Sequence, residues 1–147
     1  MTHKILILNG PNLNMLGKRE PDIYGGDSLE AIDVACQHKG QTLGISVDFR
    51  QSNDEGELVT WIQSAADGIS GIVINGGAYS HTSIAILDAL RAVDLPTIEV
   101  HLSNIFRREA YRNHSYISQA ALGVICGLGA QSYLLALDAL ARIVDEE

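Results

Sequence analysis

Cysteine, basic residues and long apolar runs are all scarce in this chain of 147 residues. Its 10 lysines and arginines are outnumbered by 18 acidic residues. The resulting net charge of −8 argues against a nucleic-acid binder, whose affinity depends on neutralising phosphates, and against binding to an anionic membrane surface. No stretch approaches the roughly 20 apolar residues of a membrane-spanning helix. We therefore expect a soluble, cytoplasmic protein without nucleic-acid or membrane partners.

The two cysteines do not indicate a metal site. Cys36 and Cys126 lie in apolar stretches, and neither has another cysteine or a histidine at metal-ligand spacing. We expect two buried, reduced thiols, although the sequence leaves a disulfide between them open. The apolar run at residues 5–8 is far too short for a signal peptide.

The sequence does contain enough apolar material for a core. Hydrophobic residues make up 46% of the chain, which excludes intrinsic disorder. The length suits one ordinary domain and is too short for two, so we expect a single domain over residues 1–147.

Short apolar runs alternate with helical patterns along the chain. The predicted strands cover residues 4–9, 43–50, 69–75, 96–101 and 122–126. The predicted helices cover residues 28–39, 54–66, 80–93, 105–113 and 130–144. Ser28 and Asp54 are suited to begin two of the helices, and Gly40 to end the first. The alternation predicts an α/β three-layer sandwich, a five-stranded parallel sheet in the flavodoxin-like order 2-1-3-4-5 with helices on both faces.

In such folds, ligands bind beyond the carboxyl ends of the strands, where the winding reverses between the first and third strands. Three polar segments come to that edge: residues 10–26, residues 75–83, and residues 99–104, which lead into three arginines. Segment 10–26 is longer than most strand-to-helix loops, and its glycines would let it move as a lid. The alternative is a merely solvated loop.

The residues at this edge each have a structural interpretation as well as a functional one. A histidine at a strand end, such as His101, is most often a hydrogen-bonded structural group, and His81 could simply cap a helix. Glu99 points the same way as His101 and could orient it. Arg108 and Arg112 are expected on one face of a short helix, where a solvated basic face is the default. Their convergence on one edge favours a functional site.

Tyr24 and Arg19 lie in segment 10–26. A tyrosine beside glycine would ordinarily be a packing residue, but a nearby cation favours the phenolate and lowers the pKa of a tyrosine from about 10. This pair is therefore a candidate base.

Several known motifs are absent. Neither a phosphate-binding glycine loop nor a G-x-S-x-G nucleophile elbow is present, and asparagine ends the first and third predicted strands where a receiver domain needs acidic residues. The absent phosphate loop weighs against the alternative of a non-catalytic flavin- or nucleotide-binding module. Schiff-base chemistry would need a buried lysine, and the lysines are Lys4, Lys18 and Lys39.

Three segments together resemble the signatures of type II 3-dehydroquinate dehydratases. The first is GPNLNMLGKREP at residues 10–21, continuing to Tyr24. The second is AYSHTS at residues 78–83, after Asn75, and the third is EVHLSNI at residues 99–105, followed by the arginines and by Ser115-Tyr116. The resemblance extends from about Ile5 to Tyr133, in the order of the family.

This resemblance implies a flavodoxin-like fold, usually assembled as trimers into a dodecamer. It implies reversible loss of water from 3-dehydroquinate to give 3-dehydroshikimate, in aromatic biosynthesis or in quinate breakdown, with no metal or cofactor.

The resemblance also implies roles for individual residues. Tyr24 takes the proton beside the ketone, Arg19 favours its phenolate, and His101 protonates the departing hydroxyl. The supporting polar positions are Asn75, which holds a water on the enolate oxygen, Asn12 and Glu99.

The resemblance also implies which residues contact the substrate. They are Asn75, His81, Leu102, Ser103 and Arg112, of which Leu102 and Ser103 use backbone amides. Arg108 lines the loop side, and Asp88 matches a position that reaches a neighbouring subunit's site. The family usually has proline after the asparagine of the second signature, whereas this chain has Gly76, from which we expect a looser turn.

Overall fold

The adjacent strands at residues 4–9 and 71–75 are almost wholly apolar, as a parallel sheet covered on both faces requires. A computed structural model of the protein describes residues 2–17 and 27–146. The strands are β1 (Lys4–Asn9), β2 (Ser46–Gln51), β3 (Gly71–Asn75), β4 (Thr97–His101) and β5 (Gly123–Cys126). The helices are α1 (Leu29–Leu43), α2 (Glu55–Ser64), α3 (Ile84–Val93) and α4 (Gln131–Asp145). All strand pairs are parallel, in the order β2-β1-β3-β4-β5, which confirms the predicted flavodoxin-like topology.

Alternate residues of β1 divide the core into two layers. Ile5 and Ile7 pack with α1 and α4, whereas Leu6 and Leu8 pack with α2 and α3. Burial of these side chains, each worth about 1.5–3 kcal/mol, holds the helices on opposite faces of the sheet. The result is the predicted three-layer sandwich.

The predicted helix starts at Ser28 and Asp54 are confirmed, since both side chains accept hydrogen bonds from backbone N–H groups of the first turn. The predicted end at Gly40 is wrong. Helix α1 continues to Leu43 and closes at Gly44, whose φ of 72° is left-handed. Gly40 is a packing position, because a Cβ there would lie 2.9 Å from Cγ2 of Val47.

Two other helix predictions need correction. The predicted helix 80–93 begins only at Ile84, after a separate 3-10 turn at Gly77–His81. The predicted basic helix 105–113 is a pair of 3-10 turns, Ile105–Arg107 and Ala110–Arg112. Arg108 between them is extended, with φ −104° and ψ −161°, so it interrupts the helical hydrogen bonding.

Both cysteines are free thiols. Cys36 is buried as expected, but Cys126 is only partly buried, because it lies on the edge strand β5. Within residues 2–17 and 27–146, no helix is long and apolar enough to cross a membrane. The same ranges contain no group of three or more His, Cys, Asp or Glu arranged to hold a metal ion.

Candidate active site

The carboxyl ends of β1 and β3 meet in register, with Asn9 opposite Asn75. The backbone N–H of Gly10 donates to the Asn75 carbonyl at 2.8 Å, which joins the two strand ends where the winding reverses. A pocket opens above them. The predicted site residues that line it are Asn12, Asn75, His81, His101, Leu102, Ser103, Arg108 and Arg112. The fold therefore brings together residues from three separate segments of the sequence.

Glu99 and His101 form a buried pair at the base of this pocket. They project from the same face of β4, since side chains alternate along a strand, and are 0% and 5% exposed. Glu99 Oε2 lies 2.5 Å from His101 Nε2. This contact supports the interpretation that Glu99 orients His101.

Two serines, which were not assigned a role from the sequence, complete the surroundings of Glu99. The Ser115 hydroxyl donates to Glu99 Oε2 at 2.8 Å, and the Ser118 hydroxyl donates to Oε1. Burial acts to raise the pKa of Glu99, but the hydrogen bonds from His101, Ser118 and Ser115 outweigh it and hold the pKa below the usual 4.5. Glu99 is therefore a carboxylate at neutral pH.

The charge of Glu99 decides the tautomer of His101. An ionised carboxylate can only accept hydrogen bonds, so His101 Nε2 must carry a hydrogen. The nitrogen that gains or loses a proton is therefore Nδ1. His101 can thus act as an acid or a base through Nδ1, while Glu99 holds Nε2.

His81 stacks beside His101, with ring centroids 6.3 Å apart and planes inclined by 17°. It does not cap a helix: that role belongs to Ser83, whose side chain accepts from the Ile86 N–H. His81 Nδ1 lies 2.8 Å from the His114 carbonyl, so Nδ1 carries the hydrogen. Burial is the main cause that lowers the pKa of His81 below 6.5, and the charges of neighbouring His101 and Arg112 add to it. His81 is therefore a neutral polar contact.

The arginine side of the pocket contains an acidic residue that the sequence interpretation missed. Arg112 Nε donates to Glu109 Oε2 at 2.8 Å, and Arg108 Nε lies 3.8 Å from the same oxygen. The arginine side chains are 23% and 14% exposed, respectively. Although the two arginines do not share a helix, both reach the pocket, whereas Arg107 is exposed and does not line it. The pocket therefore has one cationic wall, suited to a small carboxylate.

The peptide after β4 is held by the loop that follows β5. Gly127 N–H donates to the His101 carbonyl at 3.2 Å, and Gly129 N–H donates to the Leu102 carbonyl at 3.0 Å. These bonds fix the backbone where Leu102 and Ser103 line the pocket.

Asn75 is held from several sides. Its side-chain oxygen accepts from Gly77 N–H at 3.1 Å, and its Nδ2 donates to the Tyr133 hydroxyl at 2.9 Å. Neighbouring Gly76 has a φ of −72°, and a Cβ there would lie 2.4 Å from Cδ1 of Ile117. The position of Gly76 thus has no room for a larger side chain. The neighbouring Asn75 keeps its hydrogen bonds.

Asn12 stands at the start of the 3-10 turn Leu13–Met15 with a left-handed φ of 69°, which asparagine tolerates better than most residues. Its backbone N–H donates to Asn53 Oδ1 at 3.0 Å. Leu13 and Leu16 are buried in the core, so this part of segment 10–26 is anchored.

Some predicted site residues are not brought to the pocket. Asp88 is exposed on α3 and does not line it within one chain. Tyr24 and Arg19 lie outside the residues that the structure describes.

Comparison with known proteins agrees with this arrangement. The family model Dehydroquinase class II matches residues 3–141. A 3-dehydroquinate dehydratase of Brucella canis is 55% identical over 147 residues, which are 100% of this chain and 94% of the relative. One of Rhizobium johnstonii is 54% identical over 143 residues, which are 97% of this chain and 99% of the relative. The crystal structure of type II dehydroquinase from Propionibacterium acnes, 46% identical, has a TM-score of 0.92 and covers 97% of this chain and 98% of its own. The chain belongs to the class II dehydroquinase family.

Proposed function

We infer that this chain is a 3-dehydroquinate dehydratase, a hydro-lyase that reversibly converts 3-dehydroquinate to 3-dehydroshikimate and water. The family match over residues 3–141 and the relatives of that name at 55% and 54% identity support this activity. The observation that carries it in this chain is the buried Glu99–His101 pair beneath a pocket with an arginine wall. The reaction needs a proton donor for the leaving hydroxyl and a binding group for the substrate carboxylate, and the pocket has both.

We propose that elimination proceeds through an enolate. A base removes the proton next to the ketone, and the electrons of that C–H bond form the enolate. When the enolate collapses, the C–O bond to the hydroxyl breaks, and His101 gives its Nδ1 proton to the departing oxygen to form water. Glu99 supports this step, because its carboxylate accepts from Nε2 and so leaves Nδ1 as the nitrogen that donates.

The substrate carboxylate is assigned to the backbone amides of Leu102 and Ser103, with Arg112 and Arg108 supplying positive charge nearby. Their positions around the pocket support this assignment. His81, held neutral beside His101, suits a hydrogen bond to a ring hydroxyl of the substrate. Asn75 is assigned to the water on the enolate oxygen, and Asn12 is assigned as a supporting polar group.

The base is assigned to Tyr24, with Arg19 holding its phenolate. Both assignments rest on the resemblance of segment 10–26 to the family signature. A phenolate has enough basicity to remove a proton next to a ketone, provided that a cation keeps it charged near neutral pH. Closure of segment 10–26 as a lid would exclude water from the pocket.

Assembly and location are also proposals. We propose that residues 1–147 form a single catalytic domain and that the chain assembles as trimers into a dodecamer, in which Asp88 reaches a neighbour's site. Its exposure on α3 is compatible with that contact. We expect a cytoplasmic enzyme of the shikimate pathway or of quinate breakdown.

Imine chemistry has little support in the described residues. Lys4 begins β1, at the end of the strands opposite to the pocket. Lys39 Nζ is paired with Asp138 at 2.9 Å on the helical face. Borohydride treatment with substrate should therefore leave the mass of the chain unchanged.

The test of the activity is ultraviolet absorbance. Adding 3-dehydroquinate to the purified protein should produce the absorbance of the conjugated enone product. A protein that yields no enone, and that instead carries colour or a co-purified nucleotide, would be a flavin- or nucleotide-binding module.

A further inference from the structure

A tyrosine of the core reaches the floor of the pocket. Tyr133 lies on α4 and is 0% exposed, and its ring sits 6.3 Å from that of Phe49. Its hydroxyl lies between the asparagines that end β1 and β3: it is 2.6 Å from Asn9 Oδ1 and 2.9 Å from Asn75 Nδ2. Tyr133 does not line the pocket itself, so an effect on the reaction must pass through Asn75.

The side chains of Asn9, Tyr133 and Asn75 form a row of hydrogen bonds. The backbone groups at the two ends of this row fix the direction of every bond in it. One end is the Arg50 carbonyl, which can only accept, so the Asn9 amide points its Nδ2 there, at 2.9 Å. Asn9 Oδ1 is thereby left facing Tyr133 as an acceptor. The other end is the Gly77 N–H, which can only donate, so it requires Asn75 Oδ1, at 3.1 Å.

The tyrosine hydroxyl joins these two ends. It has a single hydrogen, which it donates to Asn9 Oδ1, so it meets Asn75 as an acceptor. Burial raises the pKa of Tyr133 above its usual 10, which keeps that hydrogen in place. The Asn75 amide thus has Oδ1 and one Nδ2 hydrogen engaged within the protein, and its second Nδ2 hydrogen remains available at the pocket.

We propose that Tyr133 is a positioning residue that orients the Asn75 amide so that it presents an N–H group, not its carbonyl oxygen, to the pocket. Asn9 assists by holding the tyrosine hydroxyl in the donating direction. The ligand group that Asn75 meets is therefore an acceptor oxygen, either of the substrate or of a water on it. The catalytic consequence rests on the proposed function: a donor at this point stabilises the negative oxygen of the enolate, whereas a carbonyl oxygen would repel it.

The first test is Tyr133→Phe, which keeps the ring and removes the hydroxyl. We expect kcat for 3-dehydroquinate to fall by about tenfold to a hundredfold, with KM changing by less than about threefold, since the donor matters most as charge develops. The matched control is Ile62→Val, a core change in the other layer that costs a similar amount of stability without touching these hydrogen bonds. It should keep kcat unchanged.

The decisive comparison is a double-mutant cycle. If Tyr133 acts through Asn75, Tyr133→Phe should have almost no effect on kcat in an Asn75→Ala background. An equal loss of kcat in both backgrounds would overturn the proposal, as would unchanged kcat in Tyr133→Phe alone. Should Tyr133→Phe fail to fold, Asn9→Ala takes its place, because it removes the acceptor that sets the direction of the hydroxyl.

A measurement without substrate separates this proposal from the assigned activity. In the ¹⁵N–¹H spectrum, the side-chain amide of Asn75 is identified by its loss in Asn75→Ala, and its hydrogen on the Tyr133 hydroxyl should exchange with solvent slowly in the wild type. It should exchange faster in Tyr133→Phe. Equal exchange in the two proteins would contradict the orientation by Tyr133, whether or not the wild type dehydrates 3-dehydroquinate. If exchange differs but the wild type forms no enone, the proposed function fails and the orientation stands.

Discussion

The two polar walls of the pocket are built in opposite ways. The Glu99–His101 pair sits on a central strand, is buried, and has its oxygens held by Ser115 and Ser118. Arg112 lies on a short 3-10 turn and Arg108 on the extended backbone before it; both are partly exposed and share the exposed Glu109. One wall is buried and held by hydrogen bonds, and the other is accessible to solvent.

This difference separates the two tasks of the site. We propose that the β4 wall governs proton transfer, because the buried Glu99 carboxylate holds Nε2 of His101 and leaves Nδ1 for the substrate. We propose that the arginine wall governs capture of the substrate, because partly exposed arginines are screened by solvent but remain within reach of an arriving anion. Variants of the β4 wall should therefore change kcat, and variants of the arginine wall should change KM.

The largest effect is expected from His101→Ala. Loss of the general acid should reduce kcat by about 10³-fold, with KM much less affected, as steady-state assays with 3-dehydroquinate would measure. His38→Ala, an exposed histidine on α1, is the control and should keep full activity. A His101→Ala enzyme with kcat near the wild-type value would remove His101 from the proposed mechanism.

The second-largest effect is expected from Arg112→Ala, and it should be an effect on KM. Loss of a charge-assisted contact to the substrate carboxylate should raise KM by about tenfold to a hundredfold, with kcat within a few-fold of the wild type. Arg107→Ala removes the same charge from an exposed position outside the pocket and should leave both constants unchanged. A fall in kcat alone would show that the two walls do not divide their tasks in this way.

Ser118→Ala tests the hydrogen bond that Ser118 donates to Glu99 in the β4 wall, through the pH dependence of stability. The folded pKa of Glu99 is lowered, so its ionised form stabilises the fold above the unfolded value of 4.5, and this contribution is lost as pH falls through the lowered folded pKa. Removing the Ser118 hydrogen bond should lower the free energy of unfolding by about 1 kcal/mol at neutral pH, and by less in acid.

Urea denaturation at about pH 7 and about pH 3.5 would measure this change. Ser64→Ala, which removes a hydroxyl bonded to a helix carbonyl on α2, is the control and should show no such pH dependence. If Ser118→Ala lowered the free energy of unfolding by the same amount at both pH values, the assigned role of Ser118 would be contradicted.

The smallest effect is expected from Glu109→Gln. Exposed ion pairs contribute little to stability, so the melting temperature should stay nearly constant. Removing the carboxylate that competes with substrate for Arg112 should lower KM by about twofold, most clearly at low salt. Glu146→Gln removes an equal charge from the end of α4 and should leave KM alone. A rise in KM would mean that Glu109 holds Arg112 in its working position.

The alternation of side chains along a strand was enough to predict the buried wall from the sequence. Glu99 and His101 are two residues apart in a strand, and the strand period of two places them on one face. The arginine wall was mispredicted as one helix, because spacing alone does not reveal that Arg108 is extended. Glu109 was missed for the same reason, since only the broken turn places its carboxylate between the two arginines.

The sequence by itself determined the sheet order, the two core layers and the segments that meet at the pocket, since apolar periodicity and alternating elements leave few other arrangements. Only the tertiary structure decided which polar atoms pair and in which direction. Asn9 reaches Arg50 across 41 positions, and Asn75 and Asn9 reach Tyr133 across 58 and 124. Within its helix Tyr133 looks like one more buried core residue, because the direction of its hydroxyl depends on strands far away in the chain.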